Sequence, residues 1–201
     1  MPGTFYGLVA SHGLFVLCGA TYFAYWALQE LAPGPAAVLL FFVSLLLGFG
    51  GALSSMACVL AATAEGSGGG RGGFGLGRVV GACVALLVGA YVATSVVWDR
   101  PFTSELVFLM IWATVELCAL RVAHGSGWLV GGMARAALIA VLLALAVGLA
   151  CYTVYFVFEG RARFCLGLAP YAVVSIAMAV AGILLWRGRG IGYFGSTDDG
   201  R

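Results

Sequence analysis

A single glutamate stands inside a long apolar stretch of the chain. Glu116 follows Glu105 by eleven positions in the stretch 105–123. At 1.5 Å per helical residue it would lie roughly 16 Å deep, near the middle of a hydrocarbon core about 30 Å thick. A charge at that depth costs about 2.5–3.5 kcal/mol on insertion scales. We therefore expect Glu116 to face a bundle interior, either as a proton- or cation-binding site or as a structural carboxyl held by a partner.

Two further polar residues are predicted at comparable depth. His12, in the segment ASHG, is expected to be either a hydrogen-bonded packing residue or part of the same site. Arg135 lies in an apolar stretch longer than the ~20 residues that a crossing needs. It is expected either to pair with Glu116 or to extend its guanidinium to the membrane interface. Glu116, Arg135 and His12 thus form the predicted intramembrane polar site.

Other chemistry finds little support in the sequence. The six cysteines include no CxxC pair, which favours free thiols that pack as small apolar residues. His12 is the only histidine inside a predicted span, since His124 lies in a connection, and this argues against a haem held by two histidines. There is no HExxH or GxSxG motif, and no GxGxxG follows a strand. We therefore predict no enzymatic activity, no metal and no cofactor.

The polar residues must be positioned by membrane-spanning helices. The chain is 63% hydrophobic and 9% charged, whereas a soluble domain carries about 25% charge. Its apolar runs are long enough to cross a bilayer, and lipid leaves helices as the expected spanning element because it offers the backbone no hydrogen-bond partner. The sequence predicts an all-α polytopic bundle over 1–190, built as three hairpins, with a short cytoplasmic tail over 191–201. The six predicted spans are 5–27, 36–62, 78–98, 105–123, 128–158 and 164–186.

The arginine distribution predicts the orientation of these spans. Three arginines fall on the side of the 1–2, 3–4 and 5–6 connections: Arg100, Arg161 and Arg163. Seven fall on the side of the termini: Arg71, Arg78, Arg121, Arg135, Arg187, Arg189 and Arg201. Because basic residues concentrate on the cytoplasmic side, both termini are predicted inside. The absence of Lys and Asn is typical of a GC-rich bacterial source, so we predict the inner (plasma) membrane.

Two functions are compatible with the sequence. The net charge of +2, with scattered arginines, gives no basic surface for nucleic acid. One hypothesis is a small channel or carrier for a small solute or a proton, built around Glu116. The other is a membrane anchor or accessory subunit of a larger complex, including a quinone-linked redox complex. The bilayer is the predicted partner in both, and a homo-oligomer or partner subunits remain open.

Overall fold

The architecture is a helical bundle, as the apolar runs predict. The computed structural model describes residues 2–64, 76–97, 99 and 104–194, and throughout these ranges the ordered elements are helices. The helices are α1 (Pro2–Leu31), α2 (Pro35–Ala64), α3 (Leu76–Tyr91) with a π-helical continuation (Val92–Val97), α4 (Ser104–Gly125), α5 (Gly131–Tyr155) and α6 (Gly160–Phe194). The predicted Gly-rich connection 65–77 and the tail 191–201 lie largely outside the described residues. The prediction of an all-α multi-pass protein is confirmed at this level.

Five of the helices are long and apolar enough to cross a membrane: α1, α2, α4, α5 and α6. Within α3 and its π-helical continuation, a shorter apolar segment covers Leu87–Val97. The helix ends follow local chemistry. α1 stops before Pro33, and α2 begins at Pro35, a residue well suited to the first helical position because the missing N–H would lack a partner there. Gly127 and Gly160 adopt positive φ angles in the α4–α5 turn and at the start of α6, a conformation that glycine tolerates best.

Helix α4 is the central element of the bundle. In its apolar window 72% of the residues are buried, against 22% to 33% in the four other long helices. It packs against α2, α3 and α5, while α1 packs against α2 and α6. The core around it includes Trp112 and Ala113 of α4, Val141 of α5 and Met178 of α6. A residue that points inward from α4 is therefore shielded by several neighbouring helices.

Contacts at small residues establish the relative directions of the helices. Gly48 of α2 lies against both Cys18 of α1 and Phe108 of α4, and Gly7 lies against Cys58. Helices α1 and α2 are therefore antiparallel. Through Gly48, Cys18 of α1 lies at the level of Phe108 of α4, and His12 contacts Glu116. The numbers thus fall along α1 as they rise along α4. Helices α1 and α4 are therefore antiparallel, and α2 and α4 are parallel.

Helix α6 runs antiparallel to α1 along its length. Gly19 packs against Ser175, Gly182 against His12, and the rings of Phe5 and Trp186 lie 6.4 Å apart. We call the end of the bundle that carries Phe5 and the α4–α5 turn the N-terminal face. The opposite face carries the α1–α2 turn at 32–34 and the α5–α6 turn at 156–159.

Candidate functional site

The structure brings two of the three predicted polar residues into direct contact. Nε2 of His12 lies 2.8 Å from Oε1 of Glu116. The residues come from α1 and α4 and are only 1% and 0% exposed, respectively. Glu116 lies halfway along the candidate span Leu106–Gly125. The predicted inward direction of Glu116 thus agrees with its position, and its partner is a histidine from the first helix.

A second contact of His12 defines how protons are arranged in this pair. Nδ1 lies 2.7 Å from the backbone oxygen of Leu8. A carbonyl oxygen only accepts hydrogen bonds, so Nδ1 must carry a hydrogen and donate it. The contact between Nε2 and Oε1 then requires one further proton, held either by His12 or by Glu116. Both forms, imidazolium with carboxylate and imidazole with carboxylic acid, have zero net charge.

The second carboxyl oxygen of Glu116 has no hydrogen-bond partner among the residues that the structure describes. Oε2 is buried and unpaired, and so are Nε1 of Trp112 and Oγ of Ser55. Trp112 precedes Glu116 by one helical turn on α4, and Ser55 lies one turn beyond Gly51 on the neighbouring α2. An unsatisfied buried polar group typically costs about 1–3 kcal/mol. Glu116 therefore has a buried oxygen, and Trp112 one turn away has a buried N–H, that no described residue satisfies.

Close helix packing holds His12 in this position. A Cβ placed on Gly182 of α6 would lie 3.3 Å from Cβ of His12, so the α6 backbone passes directly beside the histidine. On the other side, Gly51 of α2 approaches the backbone oxygen of Ser11. Oγ of Ser11 donates to the carbonyl of Leu8, the same oxygen that receives Nδ1 of His12. Small residues on two neighbouring helices thus confine the α1 turn that carries the imidazole.

Arg135 lies away from this pair. Its side chain is exposed on the first turns of α5, and the ion pair formed among the described residues is the one between His12 and Glu116. This location agrees with the alternative in which the guanidinium of Arg135 extends to the membrane interface and does not pair with Glu116. Trp112, one turn from Glu116 on α4, was not predicted as a site residue. The sequence could have indicated Trp112, because it precedes Glu116 by four positions and residues at i and i+4 share a helix face.

A groove borders the histidine on its other side. It lies between α1 and α6, has a volume of about 360 Å³, and includes His12, Gly13 and Gly182 in its wall. Trp186 and Arg187 lie at its end near the N-terminal face. Both nitrogens of His12 are already bonded within the protein, so the wall of the groove at this point is apolar in character.

The described residues contain no group of three or more His, Cys, Asp or Glu side chains placed to hold a metal ion. Within the described part of the chain, Cys18, Cys58, Cys118, Cys151 and Cys165 form no disulfide bond.

Comparison with protein-family models, with curated proteins and with solved structures yields no match to this chain. The five long apolar helices define the class of this chain, a multi-pass helical membrane protein.

Proposed function

We propose that the chain crosses the membrane six times with both termini on the same side. The parallel direction of α2 and α4 supports this topology. A chain that leaves α2 at the N-terminal face and enters α4 at the opposite face must traverse the bundle in between. Residues 76–97 are helical, and 22 residues at 1.5 Å each extend about 33 Å, enough for the ~30 Å core.

In this proposal the N-terminal face is cytoplasmic. The seven-to-three distribution of arginines supports the orientation. In this orientation the protein lies in the bacterial inner membrane, and its α1–α2 and α5–α6 turns face outward.

We further propose that the protein is a small channel or carrier for protons, and that His12 and Glu116 bind the transported proton. The observation that carries this proposal is the buried contact between Nε2 and Oε1, together with the unpartnered Oε2 of the same carboxyl. A purely structural carboxyl gains most when both oxygens are bonded, because each unpaired buried atom costs free energy. An oxygen without a partner remains available to accept a proton or a water molecule.

The proton count explains why this pair suits transport. With one proton between Nε2 and Oε1 the pair is neutral and tolerates a low-dielectric interior. Loss of that proton leaves a net negative charge, and gain of a second leaves a net positive one, both of which are costly when buried. A proton that arrives at Oε2 gives the pair one positive charge, while the first proton stays between Nε2 and Oε1. Release of the proton from Oε2 to a water molecule restores the neutral pair. The carboxyl can therefore take up and release a proton at Oε2, and His12 holds the other proton of the pair.

Replacement of Glu116 by glutamine tests this proposal. A glutamine amide can donate to Nε2 of a neutral His12, so Glu116→Gln keeps the hydrogen bond and should fold normally. It has no titratable proton, so it should abolish transport. The assay is acidification of a trapped pH-sensitive dye in proteoliposomes under an imposed potassium diffusion potential. Glu159→Gln, which alters an exposed carboxylate in the α5–α6 turn, is the matched control and should transport normally.

Two outcomes would contradict the proposal. One is proton flux through Glu116→Gln vesicles at the wild-type rate. The other is a wild-type protein that is folded in vesicles and yet conducts no protons. That second result would favour the alternative, a membrane anchor or accessory subunit, and an associated subunit should then co-purify from native membranes under mild detergent.

A further inference from the structure

The groove between α1 and α6 has the dimensions of one leaflet. Along α6 it runs from Met178 to Arg187, and nine steps of 1.5 Å give a length of about 14 Å. Half of a ~30 Å hydrocarbon core is about 15 Å. The groove thus extends from mid-span to the N-terminal face, which is the reach of an acyl chain in that leaflet.

The two ends of the groove differ in chemistry. Its inner part is lined by apolar or small residues, including Gly13, Val16, Met178 and Ala179. His12 contributes to the wall but is 1% exposed, and its two nitrogens are bonded to Leu8 and Glu116. A ligand with polar groups along its length would find no partner here, whereas a hydrocarbon chain would.

The end at the N-terminal face offers a cation. Arg187 is exposed, and among the described residues the ion pair formed is between His12 and Glu116, so no described carboxylate neutralises Arg187. Trp186 beside it is 58% exposed, and tryptophan favours the boundary between hydrocarbon and headgroups. An anionic headgroup phosphate matches this end by charge and by depth.

We propose that this groove is a binding site for one anionic phospholipid of the leaflet at the N-terminal face. One acyl chain lies between α1 and α6, and the phosphate contacts the guanidinium of Arg187. The bound chain covers the groove side of the α1 turn that carries His12. This inference goes beyond the proposed transport activity and does not depend on it.

Lipid retention measured by native mass spectrometry tests the proposal. The purified protein in detergent is titrated with phosphatidylglycerol or with phosphatidylcholine of the same acyl chains, and inorganic phosphate is added in a separate arm. We expect one site that prefers phosphatidylglycerol by about fivefold, the effect of one basic residue near an anionic headgroup. Inorganic phosphate should not displace the lipid, because most of the contact is made by the acyl chain.

Two variants separate the headgroup from the chain. Arg187→Gln should remove the preference for phosphatidylglycerol, whereas Arg161→Gln, an exposed arginine at the opposite face, should keep it. Gly13→Leu should fill the groove, since a Cβ at Gly13 meets no atom within 4 Å, and should eliminate the retained lipid of both classes. Gly132→Leu, equally unobstructed, is its control.

Equal retention of the two lipids by the wild type would overturn the proposal, as would an unchanged preference in Arg187→Gln. If Gly13→Leu does not fold, the Arg187→Gln result decides.

Discussion

The contact between His12 and Glu116 predicts an unusual pattern of stability in single and double leucine variants. His12→Leu leaves the entire carboxyl of Glu116 without a partner, because Oε2 is already unpaired. Glu116→Leu leaves only Nε2 of His12 unpaired, since Nδ1 keeps its bond to Leu8. We therefore expect His12→Leu to be the more destabilising of the two.

The magnitudes follow from the burial of the pair. An unsatisfied buried group costs about 1–3 kcal/mol, so each single variant should lose a free energy of unfolding in that range. The double variant removes both polar groups, and replacement of a buried pair by apolar residues of similar volume is often neutral or stabilising. Interhelical hydrogen bonds in membrane proteins reach couplings of about 1.7 kcal/mol. Losses of about 1 kcal/mol in each single variant and a nearly neutral double variant give a coupling of about 2 kcal/mol, which we expect because both residues are fully buried.

The measurement is reversible unfolding in mixed micelles of dodecyl maltoside and sodium dodecyl sulfate, followed by circular dichroism. The wild type, the two single variants and the double variant form a double-mutant cycle. Its non-additive part gives the interaction free energy between His12 and Glu116. Additive effects within about 0.5 kcal/mol would refute the inference that the two side chains form a coupled unit. A larger loss for Glu116→Leu than for His12→Leu would refute the assignment of Oε2 as unpartnered.

Three further predictions concern topology, packing and the third predicted site residue. In a cysteine-free background, Ser126→Cys should be protected from impermeant thiol reagents in intact cells and Glu159→Cys should react, and the reverse pattern would overturn the orientation. Gly188→Ala should lower the midpoint of thermal unfolding because its Cβ would meet a backbone carbonyl of the α4–α5 turn, whereas Gly132→Ala should not; equal midpoints would contradict that close approach. Arg135→Gln should change neither stability nor proton flux, because the side chain is exposed, and a flux defect would return Arg135 to the site.

The positions of the helices along the chain could be predicted from the sequence. The apolar runs alone indicated where the helices lie, because in lipid a continuous apolar run has no stable alternative to a helix. Observed α2 (Pro35–Ala64) and α4 (Ser104–Gly125) extend the predicted spans 36–62 and 105–123 by one or two residues at each end. The cost of a buried carboxyl likewise indicated, without any structure, that Glu116 points into the bundle.

The partner of Glu116 was decided only by the tertiary structure. The sequence left Arg135 of the next helix and His12 of the first helix both open as partners, because hydropathy carries no information on which helices become neighbours or how each is rotated about its axis. Those are set by close approaches at small residues, such as Gly51 against Ser11 and Gly182 against His12. These approaches hold α1 between α2 and α6. In that position His12 contacts Glu116 of α4, 104 positions along the chain, whereas Arg135 at the start of α5 is exposed. The chemistry of the site therefore depends on helix packing, which the order of residues along the chain does not reveal.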